Sequence, residues 1–188
     1  AAAALLALNQ LWRLDMSIEE LSEIAASLGS DVPFFLTGGT ATGTGRGESI
    51  TPIQSLPSLP VTLICPSETI PDKTARMFSR LTADQYTDGG RTERLARILK
   101  ADGSVADTQY NVFELVAFQE FPELEVLRQQ IRLATGAEVH LSGAGPALYC
   151  LPSSEDEFQR VSHALQPYGA RVYFVHTISP GSAPGVSG

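Results

Sequence analysis

The chain has 188 residues, 43% of them hydrophobic and 18% charged, which is the balance of an ordinary globular protein. Its net charge of −8 argues against a nucleic-acid partner, because surfaces that bind nucleic acid need clustered Lys and Arg. No stretch approaches the roughly 18 consecutive apolar residues of a membrane span, so we expect no membrane partner either. Any anionic ligand must therefore be held locally, by glycine-rich loops and by single cations such as Arg46, Lys73 or Arg76.

The first part of the chain is predicted to form two helices. Leucines recur at helical spacing from Leu5 to Leu11. Ser17-Ile18-Glu19-Glu20 then forms a capping box, and the apolar face of the second helix continues to Leu28, before Gly29 ends it. The first helix starts at alanines that cannot cap its amide groups, so we expect a further segment upstream of it.

Asp31 follows this helical pair and is the candidate catalytic residue. Pro33 fixes the backbone just after it, and the apolar run Phe34-Phe35-Leu36, predicted as a strand, is expected to return the chain to the core. A carboxylate held in this way can accept a proton from a hydroxyl or orient it, which is the work of a general base. The alternative is that Asp31 only caps the turn or helix that Pro33 opens.

A glycine-rich loop and a linker come next. Thr40-Ala41-Thr42 is predicted as a strand after a turn at Gly38-Gly39. Gly43-Thr44-Gly45-Arg46-Gly47-Glu48 is either a loop that a ligand approaches closely or a plain hairpin loop. The stretch Ser55-Leu56-Pro57-Ser58-Leu59-Pro60 has the composition of a linker, so we place a domain boundary there, after residue 58.

The second domain, 59–178, is predicted to alternate strands and helices. Strands are expected at 61–65, 138–141, 147–151 and 170–177, and helices at 73–81, 92–100, 111–118, 122–136 and from a cap at Ser153 or Ser154 to Leu165. This order predicts an α+β sandwich of the ferredoxin-like kind. The Pro-, Gly- and Ser-rich residues 179–188 are expected to form a disordered tail.

The cysteines and histidines carry no signature of a metal centre. Cys65 and Cys150 are far apart and each lies in an apolar run, so we expect both to pack as small hydrophobic side chains. Free cysteines fit a reducing compartment, and we expect the protein to be cytoplasmic. The three histidines have no ligand spacing, and we predict no metal site.

The loop Ser142-Gly143-Ala144-Gly145-Pro146 connects two predicted strands. Its small side chains leave backbone N–H groups open to a ligand, and such groups can hold a phosphate or lock another phosphate-binding loop in place. A loop of this kind is by itself more often only a turn. The phosphate interpretation gains weight because the segment from Gly29 to Phe35 precedes the loop in the same chain.

These segments resemble the GHMP kinase family, named for its galactose, homoserine, mevalonate and phosphomevalonate members. The resemblance extends over residues 1–178 and rests on four pieces: Ala1 to Leu14, Leu28 to Phe35, Gly38 to Ala41 with Gly45 to Glu48, and Leu141 to Pro146. It implies the GHMP kinase fold, with part of a ribosomal-protein-S5-like N-terminal domain before a ferredoxin-like C-terminal domain. The last piece is shared across the family, whereas the first two are typical of its members that act on cytidine-diphosphate methylerythritol.

The resemblance also implies an activity and a site. The activity is ATP-dependent phosphorylation of the small molecule cytidine-diphosphate methylerythritol in the non-mevalonate route to isoprenoid precursors, with Mg²⁺ carried by ATP. Asp31 is similar in position to the family's catalytic aspartate, and Thr74 and Phe78 fall near its cytidine-binding helix. Phe78 would stack on the base, with packing in the core as the alternative. Gly143, Ala144 and Gly145 match the family's third motif, which buttresses its nucleotide-phosphate loop, and with Ser142 they are the candidate ATP-binding residues.

Two motifs of the family have no counterpart in this sequence. These are the N-terminal strand with its substrate-side lysine and the Gly/Ser-rich loop that wraps the ATP phosphates. We therefore expect a parent protein to be the kinase, as a monomer or weak homodimer, and this chain alone to be inactive. The rival interpretations are another family member, such as homoserine or mevalonate kinase, and a non-catalytic ligand-binding module, because fold does not fix function.

Overall fold

The computed structural model of the chain describes residues 1–54, 56–67, 71–101, 109–151 and 153–178, and the predicted tail at 179–188 lies outside them. The helices are α1 (Ala2–Trp12), α2 (Ile18–Leu28), α3 (Phe34–Thr37), α4 (Lys73–Arg80), α5 (Gly90–Ala101), α6 (Glu114–Glu120), α7 (Pro122–Thr135) and α8 (Glu155–Leu165). The strands are β1 (Ala41–Thr44), β2 (Ser49–Pro52), β3 (Pro60–Cys65), β4 (His140–Leu141), β5 (Leu148–Cys150) and β6 (Arg171–His176). As far as they are described, residues 1–57 and 96–101 form one compact unit and 58–95 and 109–177 another.

In the first unit, two local devices fix the α1–α2 pair. The predicted capping box is confirmed, since the Ser17 hydroxyl accepts the Glu20 N–H and the Glu20 carboxylate accepts the Ser17 N–H. Asn9 closes the connection, because its side chain donates to the Met16 carbonyl at 3.0 Å and accepts the Met16 N–H at 3.1 Å. The small core beneath them contains Ala2, Leu21, Ala25 and Leu36.

The predicted strand at 34–36 is wrong, because Phe34–Thr37 forms a short helix. Pro33 has φ −57° and ψ −36°, helical values that its ring favours, so it starts a helical turn rather than an extended segment. Gly38, at φ 66°, ends the turn after one revolution. The aromatic pair does not return the chain to the core either, since Phe35 is 66% exposed and Leu36 is the buried side chain of the helix.

The chain then forms a plain antiparallel hairpin. β1 and β2 pair with Thr44 opposite Ser49, and the Gly47 N–H donates to the Thr44 carbonyl at 3.1 Å across the turn. The Glu48 carboxylate accepts the Arg46 N–H at 2.6 Å. Hydrogen bonds from the backbone N–H groups of Glu48 and Arg46 lower the pKa of Glu48. Residues 43–48 therefore lie at the turn of an antiparallel hairpin, as the hairpin alternative predicts.

The second unit has the ferredoxin-like topology that the sequence predicts. Its four strands lie in the order β4-β5-β3-β6, and every neighbouring pair is antiparallel. α6 and α7 precede β4, and α8 connects β5 to β6, which gives the split βαβ arrangement. α7 and α8 pack on one face of the sheet, with a core that includes Ile64, Leu124, Leu127, Ile131, Leu148, Val161 and Leu165.

The two cysteines differ in burial. Cys150 lies in β5 and is 2% exposed, whereas Cys65 at the end of β3 is half-buried. Burial, with a smaller contribution from the Glu157 carboxylate, raises the pKa of the Cys150 thiol to about 12. Since the thiolate is the reactive form, Cys150 is protected from thiol reagents both by access and by ionisation.

We expect one fast-reacting thiol in the native protein. At pH 8, a pKa of about 12 leaves only about one Cys150 thiol in ten thousand ionised, so Ellman's reagent should label Cys65 first and Cys150 only after denaturation. Absorbance stoichiometry measures this directly. Cys65→Ser should abolish the fast phase, and two fast equivalents in the native wild-type protein would contradict the assignment.

None of the helices in the described ranges is long and apolar enough to cross a bilayer, and α7 extends over only 14 residues.

Candidate active site

The loop between β4 and β5, Ser142 to Pro146, is a tight turn with two unused donors. The Ser142 N–H donates to the Ala147 carbonyl at 2.9 Å, and the Gly145 N–H donates to the Ser142 carbonyl at 2.8 Å. Among the described residues, the N–H groups of Gly143 and Ala144 have no acceptor. Two successive free N–H groups of this kind form a site that suits an anion.

The two glycines of the loop serve different purposes. Both have positive φ values, 56° at Gly143 and 76° at Gly145, which residues other than glycine rarely adopt. A Cβ atom at Gly143 would meet nothing within 4 Å, so the space beside it is open to a ligand. A Cβ atom at Gly145 would lie 2.8 Å from Cδ1 of the buried Leu141, so this glycine is required for packing.

Helix α4 begins at this loop. Lys73, the first residue of α4, donates from its ammonium group to the Gly145 carbonyl oxygen. A positive charge therefore lies at the same loop as the two free N–H groups, although the protein as a whole is acidic. Lys73 is one of the three cations that the sequence singled out, and it is the one that the structure places at the loop.

The other two cations are paired with carboxylates. Arg46 lies 3.7 Å from Glu48 in the hairpin turn. Arg76 and Arg80 of α4 both reach Glu120 of α6, at 2.6 Å and 2.8 Å, and the Arg76 hydrogen bond is the main reason that the pKa of Glu120 is lowered. The two pairs with Glu120 attach α4 to α6.

The predicted substrate residues Thr74 and Phe78 lie on α4, both exposed to solvent. They are four residues apart, so they share one side of the helix, while Met77 is buried. The Phe78 ring is 53% exposed and stands edge-on to Phe113, with ring centroids 4.9 Å apart. Phe78 is therefore not a core residue. The helix that carries Thr74 and Phe78 contacts the loop Ser142 to Pro146, because Lys73 of α4 donates to the Gly145 carbonyl oxygen.

Two residues that the sequence analysis did not select also contact the loop. The Asn111 side chain donates to the carbonyl oxygens of Leu141 at 2.9 Å and Gly143 at 2.7 Å. The Glu114 carboxylate accepts the Leu141 N–H at 2.7 Å. Asn followed three positions later by Glu at the start of a helix is a capping-box pattern, so the local sequence indicates only a helix cap. It gives no sign of the contacts with Leu141, which lies about thirty residues further along the chain.

Asp31 lies in the first unit, in a hydrogen-bonded turn between α2 and α3. The Val32 N–H donates to the Gly29 carbonyl at 3.1 Å, and Pro33 is fully buried. The backbone around Asp31 is thus anchored while its side chain is exposed. Among the residues of this unit that the structure describes, no side chain caps the first turn of α3, which gives no support to the alternative that Asp31 is a cap. The catalytic role of Asp31 stays a prediction.

Within the ranges that the structure describes, no three His, Cys, Asp or Glu side chains are grouped as a metal ion would require.

Two family profiles match the chain and together cover more than half of it. Residues 1–39 match the GHMP kinases N terminal domain, and residues 87–170 match GHMP kinases C terminal. A 4-diphosphocytidyl-2-C-methyl-D-erythritol kinase of Dehalococcoides mccartyi is 39% identical to the chain over 181 residues. That alignment covers 96% of this chain and 64% of the relative. The chain thus spans 64% of the length of that curated relative.

Solved structures have the same fold. A crystal structure of 4-(cytidine 5'-diphospho)-2C-methyl-D-erythritol kinase is 30% identical, with a TM-score of 0.73, over 95% of this chain and 64% of that one. A homoserine kinase from Cytophaga hutchinsonii, with a TM-score of 0.70 over 95% of this chain and 63% of its own, is 19% identical and shows the fold alone. The resemblance and the fold predicted from the sequence are confirmed, and the chain belongs to the GHMP kinase family.

Proposed function

We propose that the protein is a 4-diphosphocytidyl-2-C-methyl-D-erythritol kinase, which phosphorylates the 2-hydroxyl of its substrate in the non-mevalonate route to isoprenoid precursors. The proposal is supported by the 39% identity to a kinase of that name across 96% of this chain. The likeness to homoserine kinase, at 19% identity, supports only the fold and gives no reason to prefer homoserine as the substrate.

The observation that carries the proposal is the loop at Ser142 to Gly145. It combines two free N–H groups, open space at Gly143 and the ammonium group of Lys73, which together fit the oxygens of a nucleotide phosphate. ATP, when bound, supplies the phosphoryl group that is transferred, and its Mg²⁺ neutralises charge on the phosphates. Ser142, Gly143, Ala144 and Gly145 would hold that nucleotide.

The open side of α4 would bind the cytidine. The Phe78 ring is exposed, and Phe113 packs against it edge-on. A face of the Phe78 ring is therefore available for stacking on a base. Thr74, one turn earlier, would add a hydroxyl that can donate or accept a hydrogen bond. The ion pairs of Arg76 and Arg80 with Glu120 hold this helix in place.

Asp31 would act on the hydroxyl of the substrate. Phosphoryl transfer depends mainly on positioning and on stabilising charge, so one anchored carboxylate that orients the hydroxyl and accepts its proton suffices. Asp31 meets the local requirement, because its side chain is exposed while Val32 and Pro33 fix the backbone.

We infer further that the enzyme works in the cytoplasm, since Cys65 and Cys150 are both free, as in a reducing compartment. It would act as a monomer or weak homodimer.

Separate titrations with Mg-ADP and CDP, followed by amide NMR on a form extended to the length of its relatives, test the proposal. Mg-ADP should shift the Gly143 and Ala144 amides, and CDP should shift those of Thr74 and Phe78. Phe78→Ala should weaken CDP binding about tenfold, as expected for one lost base–aromatic stack, and leave Mg-ADP binding unchanged.

Tyr168→Ala is the matched control for Phe78→Ala, because it removes another partly exposed ring of the same unit. It should leave both affinities unaltered. Mg-ADP shifts that spare Gly143 and Ala144, or CDP affinity that Phe78→Ala leaves intact, would contradict the assignment.

A further inference from the structure

We propose that Asn111 and Glu114 are positioning residues that hold the loop between β4 and β5 so that the N–H groups of Gly143 and Ala144 converge on one anionic group. The identity of that anion as a nucleotide phosphate rests on the proposed function. The geometry of the loop does not. Neither side chain is needed to touch the nucleotide, since both act on the backbone of the loop.

The direction of each free N–H is set through its own peptide unit. Both units are trans, so their N–H and C=O groups point in opposite directions. Asn111 donates to the Gly143 carbonyl oxygen at 2.7 Å, which turns the Ala144 N–H away from Asn111. The Ser142 carbonyl oxygen accepts the Gly145 N–H at 2.8 Å, which fixes the Gly143 N–H in the same way. The two free donors are therefore set in advance of any ligand.

Asn111 spans the turn rather than one residue of it. Its NH₂ group has two N–H donors, and both are used, one on Leu141 and one on Gly143. Its carbonyl oxygen accepts the Phe113 N–H at 3.0 Å, which fixes which way the amide faces. Three hydrogen bonds hold the side chain in place. The amide therefore connects the start of α6 to Leu141, just before the loop, and to Gly143 within it.

Glu114 fixes the strand from which the loop leaves. Its carboxylate accepts the N–H of Leu141, the last residue of β4, at 2.7 Å, and lies 3.4 Å from Nδ1 of His140. α6 is itself held rigidly, because Val116, Ala117 and Phe118 are buried in the core. The loop is thus braced by side chains on a packed helix, which is the arrangement that preorganises a binding site.

The choice of Asn rather than Asp at position 111 matters for charge. Asn111, which is neutral, contacts the Gly143 carbonyl group within the loop, whereas the charged Glu114 contacts the strand. Asn111→Asp keeps the shape of the side chain but sets a carboxylate oxygen against the carbonyl oxygens of Leu141 and Gly143. It exchanges two attractive contacts for two repulsive ones.

Hydrogen exchange in the 188-residue chain tests the bracing without any ligand. Asn111→Asp should accelerate exchange at the Ser142 and Gly145 amides at least about tenfold, the effect of losing hydrogen bonds of ordinary strength. Amides that pair β3 with β6 should be unaffected. Gln129→Glu is the matched control, because it makes the same chemical change on the exposed side of α7, and it should leave the loop unaltered.

Two further variants keep the test decisive. Asn111→Ala removes the donors without adding a charge and serves if Asn111→Asp does not fold. Glu114→Gln retains an oxygen that can accept the Leu141 N–H and should stay near wild type, whereas Glu114→Ala should accelerate exchange at Leu141. Unchanged exchange in the loop would show that these side chains do not brace it. Equal acceleration throughout the sheet would show that they only stabilise the fold. Either result would overturn the proposal.

The functional arm uses the full-length form. Asn111→Asp should raise the Mg-ADP dissociation constant and the KM for ATP at least about tenfold, with CDP affinity unchanged, because only the loop is disturbed. Unaltered Mg-ADP affinity in a variant whose loop exchanges faster would overturn the positioning role. A wild-type protein in which Mg-ADP leaves the Gly143 and Ala144 amides unshifted would remove the proposed function instead, while the exchange result would still decide the bracing.

Discussion

Asp31→Asn in the full-length enzyme is expected to lower kcat by at least about a hundredfold, the low end for a positioned general base. Asn keeps the shape of the side chain and its ability to accept a hydrogen bond, but it cannot take up the proton of the attacking hydroxyl. KM should change less than kcat, because the side-chain oxygen of Asn can still accept a hydrogen bond from the substrate hydroxyl. Steady-state kinetics with the cytidine-diphosphate substrate measure both quantities.

Folding should not obscure this result. The Asp31 carboxylate is exposed and caps no helix in its unit, so the thermal unfolding midpoint of Asp31→Asn should match that of wild type. Asp15→Asn is the matched control, since it removes another exposed carboxylate of the same unit, and it should leave turnover intact. Turnover of Asp31→Asn within a few-fold of wild type would exclude Asp31 as the base.

The elements that the sequence predicted well are those with local causes. α2 and α8 begin at serines whose capping boxes are visible within four residues, and α7 ends at Gly136, where φ is 73°. The strands of the second unit follow from short apolar runs, and their order follows from the alternation of strands and helices. Each of these signals acts within a few residues, so no knowledge of distant contacts is needed.

The failures have more than one cause, some of them local and some of them distant along the chain. The run at 34–36 has the apolar character of a strand, but the helical φ and ψ of Pro33 commit it to a turn. Phe78 could not be placed from its helical spacing, because its exposure depends on Phe113, which is far along the chain. β2 is only four residues long and ends in a proline, so it gave no clear strand pattern.

The candidate site was predictable in part for the same reason. The glycines of the loop are visible as a local pattern, but the partners that orient the loop are not, because Lys73 and Asn111 lie 72 and 32 residues from the carbonyls they contact. Asp31 was selected through the order of motifs along the chain, although its local pattern alone favoured a cap. A sequence therefore indicates which loop could hold a phosphate more readily than what makes that loop rigid.

Gly145→Ala is expected to destabilise the protein by roughly 2–5 kcal/mol, the sum of two independent costs. An alanine at φ 76° pays a backbone cost of roughly 1–2 kcal/mol, because its Cβ atom crowds the following carbonyl. That Cβ atom would also lie 2.8 Å from Cδ1 of Leu141, and overpacking of this kind costs roughly 1–3 kcal/mol. Leu141 is 1% exposed, so its Cδ1 atom can give way only by displacing neighbouring core side chains.

Gly143→Ala separates the two costs, since it has the same kind of backbone, at φ 56°, and no atom within 4 Å of its Cβ position. It should lose only the backbone contribution of roughly 1–2 kcal/mol in urea unfolding, with an unchanged m-value. Leu141→Val withdraws the obstructing Cδ atoms. It should therefore be less harmful in the Gly145→Ala background than in wild type, with a coupling free energy of about 1 kcal/mol or more. Equal losses at the two glycines, or no coupling to Leu141, would mean that φ alone accounts for the glycine at 145.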